Sequence, residues 1–127
     1  MITIGGHRGF GCTDHAFYQY RPLAELPVEN TLASIRQAFD AGAHFVELDA
    51  VFTADNQVAV LHNVVPTDHF FTAPIPAKPI NQLPWDDIRN YPTGRHGTGS
   101  VALLADVLTL ITDVAPPPYR LTRSILN

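Results

Sequence analysis

The 127-residue sequence has one cysteine, Cys12, so no internal disulfide can brace its fold. It has no basic run either, and 8 Lys and Arg against 12 Asp and Glu give a net charge of −4, which argues against nucleic acid as a partner. No apolar run approaches the roughly 18 residues of a membrane span. The first residues, MITIGGHRGFG, lack the charged and apolar regions of a secretory leader, and with the lone cysteine they predict the cytoplasm. Glutamate is scarce, and none follows Glu47. What is present is enough for one core: 46% hydrophobic and 16% charged residues describe a globular chain.

Strand and helix signals alternate along it. Ile2 to Ile4 reads as a first strand that stops at Gly5-Gly6, leaving His7 and Arg8 just past its end. Leu32, Ile35 and Phe39 recur at helical spacing, with Asn30 as N-cap and Gly42 as the residue after the C-cap. Phe45 to Phe52 reads as a second strand and Val58 to Leu61 as a third, separated by the turn-prone TADNQ. Pro66 to Pro84 reads as a surface loop, within a broader loop or insertion over 64–100. Trp85 to Tyr91 reads as a short helix, 101–113 as a longer one, and Tyr119 to Leu126 as a last strand beyond Pro116-Pro117-Pro118.

The stretch GAHFVELDA places two carboxylates in an otherwise apolar strand. Residues two apart on a strand face one side, so Glu47 and Asp49 point into a common space. Like charges there repel unless a cation lies between them, and a hard divalent ion such as Mg²⁺ or Ca²⁺ takes oxygen ligands. A solvated strand face, or pairing with Arg or Lys, satisfies the same pattern. His7-Arg8 after the first strand and His62 after the third bring further chemistry to strand ends, where α/β folds bind ligands. A hairpin centred on Asp55-Asn56 would set Asp49 opposite His62. Two histidines and an arginine around a carboxylate-held cation suit phosphodiester cleavage: cation and Arg8 neutralise phosphate oxygens, one imidazole takes a proton and the other gives one.

HRG at His7, ENT at Glu29, ELDA at Glu47, T-x-D at Thr53 and LH at Leu61 follow the order and approximate spacing of the glycerophosphodiester phosphodiesterases, which the sequence resembles over about residues 3–63. INQLPWDDIRNY and VALLADVLTLI resemble later helices of that family. The resemblance implies the α/β fold of the N-terminal half of a TIM-type (β/α)8 barrel of the PLC-like phosphodiesterase kind, as one partial domain over 1–127. It implies hydrolysis of glycerophosphodiesters to glycerol 3-phosphate and an alcohol. His7 and His62 would be the acid/base pair, Arg8 and Asn30 substrate contacts, and Glu47, Asp49 and Glu29 ligands of a divalent cation. It also implies parallel strands on either side of TADNQ, where spacing alone gives a hairpin.

Three departures accompany the resemblance. Asn63 stands where the family has aspartate after the second histidine. The later-strand glutamate is missing, with Arg120 and Arg123 near its place. A full barrel needs about 250 residues, so 127 hold only about four of its eight strands. Open edges and an apolar inner face predict self-association. The alternative function is a catalytically inactive phosphate- or metal-binding or assembly module.

Overall fold

A computed structural model describes residues 1–11, 26–62, 76–94 and 97–117. Parallel β1 (Gly5–His7) and β2 (Phe45–Glu47) form one sheet, with His7 level with Glu47. The sequence places the first strand at Ile2–Ile4; pairing instead runs three residues later, and Ile2 and Ile4 are 83% and 56% exposed. The predicted second strand is split, because Leu48 and Asp49 leave the ladder before β3 (Ala50–Phe52). The strand β3 pairs antiparallel with β4 (Val58–Val60), which pairs antiparallel with β7 (Ala102–Leu103). Spacing alone therefore reads this hairpin correctly, and the parallel pair implied by family resemblance is overturned: the five residues between these strands leave no room for a crossover. Ala50 opposite Val60 centres the register on Asp55, which puts Leu61, not His62, in line with Asp49. Pro92–Thr93 (β5) and Gly99–Ser100 (β6) close a further hairpin.

Helix α1 (Leu32–Asp40) lies where the apolar spacing predicts it, with Ile35, Ala38 and Phe39 buried. Its N-cap is Thr31 rather than Asn30: the Thr31 hydroxyl accepts from the Ser34 amide at 3.2 Å. Gly42, at φ +97°, supplies the left-handed turn after the C-cap. Helix α3 (Leu104–Val114) starts three residues later than its sequence pattern suggests, because Ala102 and Leu103 are taken by β4. Helices α1 and α3 pack together on one face of β4, where Val60, Ile35, Val107, Leu110 and Ile111 meet. On its other face Ala59 and Leu61 join Val28, Ile80, Leu83, Ile88 and Val101. The short helix α2 (Trp85–Ile88) lies within the expected Trp85–Tyr91 and delivers fully buried Ile88, and the proline-rich stretch before it is only partly a surface loop, since its 3₁₀ turn Ile80–Gln82 delivers fully buried Ile80. Its residues 66–75, and the predicted last strand at 119–126, lie outside the described residues.

The T-x-D motif ties the β3–β4 turn to α2. Asp55 Oδ1 accepts from the Thr53 hydroxyl at 2.6 Å and from the Trp85 amide at 3.0 Å. The hydroxyl first, then that amide, holds the Asp55 carboxyl below its ordinary 3.8. A lowered folded-state value means that ionised Asp55 contributes stability above the unfolded value, which is lost as pH falls through the folded one. The melting temperature of the wild type should therefore fall more steeply than that of Asp55→Ala between about pH 5 and about pH 2; equal slopes would show that the turn does not depend on this carboxylate.

Candidate functional site

The site is built where β1 and β2 end. His7 closes β1 in register with Glu47, and its Nε2 is 3.7 Å from Glu47 Oε2. The chain then turns at Arg8, at φ +50°, and Gly9, at φ +88°. A Cβ on Gly9 would stand 2.5 Å from Ser34 Oγ, so the HRG motif needs glycine for both conformation and space. Glu47 Oε2 accepts the Arg8 amide at 3.1 Å. The Arg8 guanidinium folds inward: Nη1 donates to Glu29 Oε2 at 2.7 Å, and Nε lies 3.4 Å from Asp49 Oδ2, within ion-pair reach but without hydrogen-bond geometry. Only 14% of the Arg8 side chain and 8% of Glu29 remain exposed, against 50% of Glu47 and 29% of Asp49.

The loop before α1 supplies the other wall. Asn30, at φ +58° and 1% exposed, donates its amide to the Arg8 carbonyl at 2.8 Å. Its carboxamide donates to Asp49 Oδ2 at 3.1 Å and accepts the Asp49 amide at 3.2 Å. Sequence reasoning overlooks Ser34, whose hydroxyl donates to the Arg8 carbonyl at 3.2 Å and accepts the Phe10 amide at 2.7 Å. Its signal is a small polar residue on the apolar stripe of α1, where a hydroxyl has to find partners.

Of the residues singled out from sequence, His7, Arg8, Glu29, Asn30, Glu47 and Asp49 are thus one connected network. His62 is exposed two residues past β4, and the β3–β4 register carries it to the Asp49 end of the hairpin. Asn30, expected to touch substrate, gives both ends of its carboxamide to Asp49. His44 takes a structural part, accepting the Ile4 amide on Nδ1 at 3.1 Å. Cys12, His15 and His69 lie outside the described residues. The pairing alternative for the strand carboxylates is realised at Asp49, whose counter-charge is Arg8.

Among the described residues no three His, Cys, Asp or Glu side chains form a ready cation cage. The donor chemistry nonetheless suits a hard cation at Glu47 and Asp49. Each is partly solvated and, among the described residues, binds its neighbours through one oxygen only, Oε2 and Oδ2, which leaves Oε1 and Oδ1. Magnesium is commonly held by one or two carboxylates with water completing the shell. Glu29, the third expected ligand, holds Arg8 through Oε2 and is far less solvated than the other two.

Parallel β1 and β2, helices packed behind the strands and polar groups gathered at the strand ends define an α/β fragment of the TIM-barrel kind, with no closed barrel among the described residues. The chain belongs to the glycerophosphoryl diester phosphodiesterase family, whose model matches residues 7–118. A glycerophosphodiester phosphodiesterase from Agrobacterium tumefaciens strain C58 is similar at 22% identity and TM-score 0.68, over 91% of this chain and 45% of that one. One from Thermotoga maritima is 26% identical at TM-score 0.60, over 91% of this chain and 42% of that one. A phosphodiesterase from Oleispira antarctica, solved with the product sn-glycerol-3-phosphate, is 18% identical at TM-score 0.66, over 90% of this chain and 41% of that one. The chain therefore spans less than half the length of these solved structures. No curated protein matches it. No helix among the described residues is long and apolar enough to cross a membrane.

Removing one member of a buried ion pair strands the other charge. Glu29→Ala should destabilise the fold by about 3 kcal/mol, the lower end for a broken buried pair because Asp49 still faces Arg8. In a denaturant double-mutant cycle, Arg8→Ala with Glu29→Ala should cost less than the sum of the two single changes. Additive losses would contradict the pairing.

Proposed function

We propose that the chain carries the strand-end residues of a glycerophosphodiester phosphodiesterase and takes part in metal-dependent hydrolysis of glycerophosphodiesters to glycerol 3-phosphate and an alcohol. The observation that carries this reading is the convergence of His7, Arg8, Glu47 and Asp49 at the ends of β1 and β2, in a chain of this family. The product seen in the Oleispira antarctica phosphodiesterase supports the substrate class.

Glu47 and Asp49 hold the cation, Mg²⁺ or Ca²⁺. When bound, it acts as a Lewis acid on the non-bridging phosphate oxygens. Arg8, fixed by Glu29, adds positive charge beside the phosphate. His7 and His62 divide the proton transfers of the net hydrolysis: one imidazole takes the proton of the attacking water and the other protonates the leaving alkoxide. The exposed side chains of Ile4, Phe45 and Phe52 support self-association.

The open sheets among the described residues favour a second reading, a catalytically inactive phosphate- or metal-binding or assembly module. Release of glycerol 3-phosphate from glycerophosphocholine and glycerophosphoethanolamine separates the two. Catalysis predicts cation-dependent turnover that chelator abolishes and that His62→Ala lowers by about 10²-fold or more. Absence of product from soluble, folded protein under every condition would leave the module.

A further inference from the structure

Asp49 stands outside both neighbouring strands, so nothing in a β-ladder fixes its direction. It has two candidate neighbours to do so. Arg8 Nε approaches Oδ2 to 3.4 Å but without hydrogen-bond geometry. Asn30 holds the same oxygen through Nδ2 at 3.1 Å and the Asp49 amide through Oδ1 at 3.2 Å. Two bonds from one planar carboxamide, to the main chain and to the side chain of a single residue, fix both the position and the rotation of that carboxylate. Asn30 is itself fixed, at 1% exposure, with its own amide on the Arg8 carbonyl. Its φ of +58° is a conformation that asparagine tolerates better than most residues.

We infer that Asn30 is a positioning residue for cation binding: it orients Asp49 so that Oδ1 is presented to the cation. This rests on the reading of Asp49 as a ligand. Asn30 meets no substrate in this role and acts through Asp49 alone. It differs from Thr31, next in sequence, whose hydroxyl accepts from Ser34 and donates to the Val28 carbonyl at 2.6 Å and so serves the helix.

That difference supplies the control. Asn30→Gly removes the carboxamide while suiting the left-handed backbone. Thr31→Ala removes a helix cap and leaves the Asp49 contacts in place. Calorimetric titration of the full chain with Mg²⁺ and with Ca²⁺ should show affinity weakened roughly tenfold or more in Asn30→Gly, the usual scale for loss of a ligand's supporting hydrogen bonds, and unchanged in Thr31→Ala. Equal affinity for wild type and Asn30→Gly would overturn the inference, as would equal weakening in both variants.

Amide hydrogen exchange at Asp49, measured without cation, keeps this result separate from the reading beneath it. Protection lost in Asn30→Gly and kept in Thr31→Ala supports the clamp; protection unchanged in both overturns it. Wild type that binds neither cation while the exchange result holds would overturn the ligand reading of Asp49, and with it the role in cation binding, leaving Asn30 as the anchor of Asp49. Should Asn30→Gly fail to fold, Asn30→Asp keeps an oxygen for the Asp49 amide and loses the donor to Oδ2. Its cation affinity should differ from wild type with the amide still protected, and wild-type affinity would overturn the inference.

Discussion

A guanidinium set among carboxylates is the constraint on which the rest of this structure depends. Burying an unpaired charge costs several kcal/mol, so Arg8 and Glu29, both nearly enclosed, must find each other. Their pairing draws the loop before α1 against the end of β1. The Arg8 main chain completes the join: its amide is held by Glu47, and its carbonyl by Asn30 and Ser34. One residue therefore connects two parallel strands, a helix and the loop between them through both its charge and its backbone.

The same arrangement divides the carboxylates by role. Glu29 is sealed against Arg8, whereas Glu47 and Asp49 face partly into water with oxygen to spare. Among the described residues the non-glycine positions with positive φ are Arg8, Asn30 and the turn residue Asn56, and the first two meet across this join. Such conformations persist where surrounding contacts over-determine them, and here the hydrogen bonds do so. Stability and the proposed chemistry thus draw on one network, with packing on both faces of β4 keeping its supports in place.

Much of this is legible in the sequence wherever the signal is local. The apolar spacing of Leu32, Ile35 and Phe39 reports α1, and TADNQ reports the β3–β4 turn. Signals that come from distant residues are lost. Beyond Glu47 the Asp49 amide is taken by a side chain 19 positions upstream. The strand β7 is hidden because VALLADVLTLI is apolar almost throughout, so nothing within it marks where β4 ends its claim on Ala102 and Leu103. The site residues carry ordered motifs and stand out, yet their connections do not: a motif identifies Glu29 and Asn30 without revealing that one meets Arg8 and the other Asp49.

The central claim is that Arg8 is locked within this network, and NMR of arginine guanidinium groups tests it most directly. Resolved, slowly exchanging Arg8 guanidinium signals are predicted, with hindered rotation that the half-exposed Arg89 side chain lacks. A single averaged Arg8 signal, indistinguishable from that of Arg89, would contradict the account.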